Sequence, residues 1–285
     1  MATVVSLINM KGGVGKTTLA MQLALAAGAK KLRVLAIDLD PQSNLSQAVL
    51  GVKRYVEHLK NDKPTVIQIF EGYMPATSAT GGPTQVEADK IILKQIAGWK
   101  ETVDLLPSRL ELCRTLRNPT GKERRLAKFL TKIQQDYDLI LIDCAPTDSI
   151  LTDAAYFASR YILVPVKPEF MAAIGLPLLA RSLLSFNADN EDHKLEICGI
   201  LFNHSSSYSS GPEGRTAVRD VTAVAKEEKW PVFENHVRYS ASYAKSAREG
   251  TSIRRTSYSR WEVIKNFEAV ADEFFKSVGI VLPAS

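Results

Sequence analysis

Six short runs of apolar and β-branched residues mark the chain up to residue 202: Thr3 to Ile8, Arg33 to Ile37, Val103 to Leu106, Leu139 to Ile142, Tyr161 to Val166 and Ile197 to Phe202. They are apolar at successive positions rather than alternate ones, the pattern of strands buried on both faces. Helical periodicity fills the intervals at Lys16 to Ala27, Glu123 to Gln135, Leu151 to Ala158, Leu176 to Phe186 and Thr216 to Glu228, and returns at Glu262 to Lys276. Strands covered on both sides need helices in two layers. The predicted class is therefore α/β: one doubly wound, mostly parallel sheet flanked by helices. Glu71 to Gln85 and Ser205 to Gly214 read as loops, and no shift of composition marks a boundary. Residues 1–285 read as one domain, with a basic segment at 236–265 and a docking helix at 262–277.

With 45% hydrophobic and 24% charged residues, composition adds only that the chain is an ordinary globular one. No apolar run approaches the roughly 18 residues of a spanning helix, and the start has no signal-peptide pattern. A cytoplasmic protein without a membrane partner is expected. Cys113, Cys144 and Cys198 stand alone, as do the four histidines, so neither a disulfide framework nor a zinc site is indicated. The charge distribution says more. From His236 to Lys265 seven lysines and arginines face Glu249 and Glu262, a surplus equal to the net +5 of the whole chain. A second basic block, Arg109 to Lys132, is explained by an amphipathic helix with Leu126, Phe129, Leu130 and Ile133 turned inward.

The first strand runs into Asn9, Met10, Lys11, Gly12, Gly13, Val14, Gly15, Lys16, Thr17 and Thr18, and then into a helix. Strand, glycine loop and helix in that order form a phosphate cradle, in which backbone N–H groups and the positive helix end point at phosphate oxygens. Lys16 would meet the β- and γ-phosphates of ATP, and the Thr17 hydroxyl would ligate Mg²⁺. Asp38, Asp40 and Asp143 fall at strand C-terminal ends, where open α/β sheets place ligands.

One departure from the ordinary loop is informative, because Met10 stands where a glycine is usual and a second lysine, Lys11, follows it. KGGVGKTT resembles the deviant Walker A signature of the ParA/MinD family. The resemblance extends through IDLDPQSN (Ile37 to Asn44), LLPS at the third strand and DLILIDCAP (Asp138 to Pro146). It implies a homodimer that sandwiches ATP, in which Lys11 crosses to the partner's nucleotide; a Lys11 that merely faces solvent is the other reading. It further implies that Asp143 holds Mg²⁺ through water, that Asp40 orients the attacking water, and that Asp38 belongs to the magnesium surroundings. Family members often carry two prolines after the aspartate matched by Asp143, whereas Cys144, Ala145, Pro146 and Thr147 follow here. Asn203 sits where relatives contact adenine, and a turn residue at a strand end is the alternative.

The resemblance leaves three readings. The first is a partition ATPase whose ATP dimer binds nonspecific duplex DNA and is released when a ParB-like or other cargo adaptor stimulates slow hydrolysis, which implies a nucleoid-associated protein. HVRYSASYAKS resembles the segment bearing the family's DNA-contacting arginine, here Arg238. Lys245, Arg248, Arg254, Arg255 and Arg260, interleaved with Tyr239, Tyr243, Tyr258 and Trp261, extend a surface suited to phosphates; a merely solvated basic face is the alternative. The second is a MinD-like membrane-cycling ATPase. It is disfavoured because the terminal helix has four acids against two lysines, a charge that an anionic bilayer repels. The third is a metabolic or metallocluster relative: the cluster carriers need paired cysteines, which the chain lacks, while a ligase-type enzyme is not excluded by residues, though nothing outside the switch elements suggests a small-molecule pocket. A first strand opening at Thr3 also leads us to expect no operator-binding domain ahead of it.

Overall fold

A computed structural model describes residues 1–73, 85–96, 103–169, 172–204, 212–257 and 259–282. The elements are β1 (Thr3–Leu7), α1 (Lys16–Ala29), β2 (Val34–Leu39), α2 (Asn44–Leu50), α3 (Val52–Lys60), α4 (Ile67–Glu71), α5 (Ala88–Ile91), β3 (Val103–Leu106), α6 (Cys113–Arg117) and α7 (Arg125–Leu130). They continue with β4 (Leu139–Cys144), α8 (Ile150–Ala158), β5 (Tyr161–Val166), α9 (Ala172–Asp189), β6 (Glu196–Phe202), α10 (Pro212–Glu227), α11 (Ala241–Glu249) and α12 (Trp261–Ser277).

Among the described residues the strands form one six-stranded sheet in the order β3-β2-β4-β1-β5-β6, every neighbouring pair parallel. Successive side chains of a strand point to opposite faces, and both faces are covered. In β4, Ile140 and Ile142 join a core with residues of α4, α7, α8, α9 and α10. Leu139 and Leu141 join a second core with residues of α1, α2, α11 and α12. The doubly wound prediction therefore holds.

The helices depart from the sequence pattern in three places. The periodicity over Glu123 to Gln135 yields only α7, because from Lys132 onward several N–H groups bond three residues back, Lys132 to Phe129 and Ile133 to Leu130. That tighter winding turns the chain toward β4 while keeping Ile133 buried, and Ala2 N–H caps the Gln134 carbonyl at 2.8 Å. The expected Ser205 to Gly214 loop is shorter, since α10 begins at Pro212, whose fixed φ and missing donor suit a first helical position; residues 205–211 lie outside the described residues, as do 74–84 of the other loop. The basic segment also contains α11, whose N-cap Ser240 accepts from Ser242 N–H at 3.2 Å. Short helices α2 to α6, set between β2 and β4, have too few turns to register as periodicity.

Candidate functional site

Parallel pairing aligns the C-terminal strand ends on one edge, and register decides which side chains meet there. Asp143 of β4 lies opposite Asp38 of β2 on one side and Leu7 of β1, where the phosphate loop departs, on the other. The loop closes with Gly13 and Gly15 at φ +74° and +94°, a left-handed backbone that glycine adopts without steric cost. A Cβ on Gly15 would stand 2.0 Å from Nδ2 of Asn203, so this glycine is also required by close approach. Asn203, at the end of β6, uses that amide to donate to the Val14 carbonyl at 2.7 Å and accepts from His204 N–H at 2.8 Å. It braces the loop from behind. Asn9 does the same from the front, donating to the Pro165 carbonyl at 2.7 Å and accepting from Lys11 N–H at 2.9 Å.

The two lysines of the loop part company. Lys16, the first residue of α1, is buried and turns back into the loop, donating to the carbonyls of Asn9 at 2.9 Å and Lys11 at 3.0 Å. Burial lowers its proton affinity, and the nearby charge of Asp143 opposes that shift. Lys11 points away from its own loop and pairs with Glu169, just past β5, at 2.5 Å; its side chain is 30% exposed. Glu169 also holds Lys167 at 3.0 Å, and these two cations, Lys11 first, keep its carboxyl below the usual range. Glu169 escaped the sequence reading. The available signal was its position, an acid directly after a strand at the same edge as the other site residues.

The three aspartates have three environments. Asp38 is fully buried and spoken for: its carboxylate accepts from Ser46 Oγ at 2.6 Å, Ser46 N–H at 2.8 Å and Asp40 N–H at 3.2 Å. Burial pushes its carboxyl up to about 7 against those bonds. Ser46, unnoticed in sequence, thus faces Asp38 from the first turn of α2. Asp40 is mostly buried and accepts from Gln42 N–H at 2.8 Å, which leaves its other oxygen outside that bond. Asp143 is 1% exposed, and neither oxygen reaches hydrogen-bond geometry with any partner. Burial first and the Asp38 charge second hold its carboxyl well above the usual range, while Thr17 and Lys16 favour the charged form.

Two buried, unpartnered carboxylate oxygens are costly unless a cation arrives. The donor set, the Thr17 hydroxyl and the Asp143 carboxylate beside a phosphate cradle, is all oxygen and suits magnesium. Mg²⁺ keeps waters and substrate phosphates as ligands and needs only one or two protein oxygens, which Thr17 and Asp143 offer. When bound it would neutralise charge on transferring phosphate oxygens. In the same loop and the first turn of α1, Gly12 and Gly13 are exposed and Thr17 and Thr18 half-buried.

The AAA_31 AAA-domain family matches residues 2–197. The chromosome partitioning protein ParA of Caulobacter vibrioides is 34% identical over 200 residues, covering 70% of this chain and 68% of that one. The chain belongs to the ParA-type family of deviant Walker P-loop ATPases. Matches to other relatives cover from 57% to 77% of the relative's own length. An ATP complex of McdA from Cyanothece shares the fold at a TM-score of 0.78 and 19% identity, over 100% of this chain and 99% of that one. Cobyrinic acid a,c-diamide synthase from Mycobacterium smegmatis with ADP and magnesium is 26% identical at a TM-score of 0.69, over 87% and 90% of the two chains. Both neighbours hold an adenine nucleotide on this fold, the second with magnesium.

The basic segment of this ParA-type chain is divided by the structure. Arg238 is exposed beside the nucleotide edge, since Val237 N–H bonds the Phe202 carbonyl at 2.8 Å and the ring of Tyr239, 63% exposed, meets that of His204 at 5.6 Å. Lys245 and Arg248 ride on α11, and Arg254, Arg255 and Arg260 follow it toward α12, all but Lys245 exposed. Among the described residues, Lys245 pairs with Glu249 at 3.9 Å and Arg254 with Glu268 at 3.3 Å. Tyr243 corrects the interleaved-aromatic picture: it is buried against Phe267 because α11 is amphipathic and turns that side to the core. Trp261 is exposed under Lys265, and Tyr258 lies outside the described residues. Helix α12 buries Val263, Phe267, Val270, Phe274 and Phe275. No helix among the described residues is long and apolar enough to cross a membrane.

Proposed function

We propose that this chain is an ATP-driven partition switch: with Mg²⁺ and ATP two copies join face to face, the joined form binds duplex DNA without sequence preference, and adaptor-stimulated hydrolysis releases it. One observation carries the reading. The loop folds Lys16 into its own phosphate cradle and turns Lys11 out onto Glu169, so a second cation stands at the rim where another subunit's nucleotide could receive it. Thr17 and Asp143 hold the metal, Asp38 orders the start of α2 and the Asp40 backbone, and Asp40 orients the attacking water. Turnover is slow, since phosphoryl transfer then relies on positioning and charge alone.

Arg238, Lys245, Arg248, Arg254, Arg255 and Arg260 supply the contacts to DNA phosphates, and pairing doubles them, which makes affinity dependent on ATP and steeply on salt. The protein is then cytoplasmic and nucleoid-associated, moving a cargo through a ParB-like or other adaptor. The membrane-cycling alternative loses support from α12, whose apolar face is spent on the core.

The test is retention of random-sequence duplex DNA with ATP, ADP or no nucleotide, at two salt concentrations. Retention that requires ATP and fades with salt is expected, and Arg238→Glu should abolish it while nucleotide affinity stays unchanged. Equal retention in all three nucleotide states, or full retention by Arg238→Glu, would count against the reading.

A further inference from the structure

Six residues after Lys16, α1 carries Gln22, which is 1% exposed among buried Leu19, Met21, Leu23 and Leu25. A primary amide at such a position is costly unless both of its ends are bonded. Both are, and to the same remote segment. Nε2 donates to Ser246 Oγ at 2.6 Å, and Oε1 accepts from Ile253 N–H at 2.8 Å. Ser246 Oγ passes the chain on, donating to the Thr251 carbonyl at 2.6 Å. One side chain of the phosphate-loop helix therefore grips the last turn of α11 and the turn beyond it.

Along the chain those two grips bracket Arg248 and adjoin Lys245 and Arg254, with Arg255 one residue further on. The bracketed turn is knotted further by Glu249, which accepts from Thr256 Oγ1 at 2.6 Å and Ser257 Oγ at 2.8 Å. Arg254 fastens it to Glu268 of α12. The turn that carries Arg248, Arg254 and Arg255 is thus tied to α1, and α1 begins at the phosphate loop.

We propose that Gln22 is a positioning residue that fixes the basic segment's height and orientation relative to the phosphate loop, so that two ATP-joined chains present their basic surfaces to a polyanion in register. The inference rests on the ATP-dependent DNA binding argued above. Two rigidly placed patches bind one duplex with little further loss of freedom, whereas a patch free to shift on α1 must be ordered at the moment of binding. Methionine would fill the same volume while neither donating nor accepting, so the substitution removes the grip without removing a charge.

The experiment compares full-length wild type, Gln22→Met, Ser246→Ala and the double variant for binding to a random-sequence duplex, with ATP and without, across a salt series. ATP affinity is read separately with a fluorescent analogue. Each single variant should keep its ATP affinity and lose at least about tenfold in DNA affinity of the ATP form, the size of one buried hydrogen-bonded link, with Gln22→Met the larger loss. The slope of log affinity against log salt should stay at the wild-type value, since the number of phosphate contacts is unchanged. The double variant should fall no further than Gln22→Met alone, because that substitution already breaks both grips, the one on Ser246 included. Ser246→Ala leaves α1 untouched, so it reports even if Gln22→Met folds poorly. Single variants that hold DNA as tightly as a responsive wild type overturn this inference alone, as does ATP affinity lost in step with DNA affinity. A wild type that ignores DNA in every nucleotide state removes the function reading and this inference together.

Discussion

Replacing Gly15 by alanine tests whether the phosphate loop and the end of β6 are one mechanical unit. An alanine at φ +94° costs roughly 1–2 kcal/mol for the left-handed backbone. Its Cβ would also stand 2.0 Å from Asn203 Nδ2, so the amide must leave the Val14 carbonyl, and a buried acceptor loses its partner for about 2 kcal/mol more. Gly15→Ala should therefore destabilise the nucleotide-free protein by about 3.5 kcal/mol, and Asn203→Ala alone by about 2 kcal/mol. The double variant is the informative one. Asn203 cannot be evicted twice, so the pair should fall about 2 kcal/mol short of the additive sum and match Gly15→Ala alone. The assay is urea unfolding at constant m. Additivity within about 0.5 kcal/mol would show that the two sites do not touch in solution and would refute the bracing argument.

Asp40→Ala should still bind ATP and still dimerise on a sizing column, while turnover drops about a hundredfold or more; a monomer in ATP would count against its role as the water-orienting group. Asp143→Asn replaces a buried carboxyl whose oxygens no hydrogen bond holds, so the nucleotide-free protein should lose no stability by urea unfolding at pH 8 while the extra stabilisation by magnesium with ATP disappears. A loss of stability without nucleotide would mean that Asp143 has a structural partner. Burial keeps the His236 imidazole below its usual range, with Glu273 opposing. The unfolded chain then takes up the proton first as pH falls below about 6.5, so wild type should lose stability relative to His236→Gln between pH 7.5 and 5. A difference between the two proteins that ignores pH would disprove that placement.

The sequence by itself determined the layers and the chemistry. Apolar runs without alternation require a sheet covered on both faces, and Gly12 to Thr18 after a strand require a phosphate cradle, because both are local: neighbouring residues set the backbone and the burial. Strand ends fell within about two residues of the pattern for the same reason. What depends on sequence separation was invisible. Only register puts Asp143 between Asp38 and the loop, and only packing assigns Asp38 to Ser46, Asn203 to Val14 and Lys11 to Glu169. Likewise, only the amphipathic docking of α11 separates the buried Tyr243 from the exposed Arg248 in a stretch that reads as uniformly basic and aromatic. Periodicity carries which side of an element is apolar; it carries nothing about which partner, 158 residues away in the case of Lys11 and Glu169, will satisfy a polar group that the fold has buried or turned to the rim.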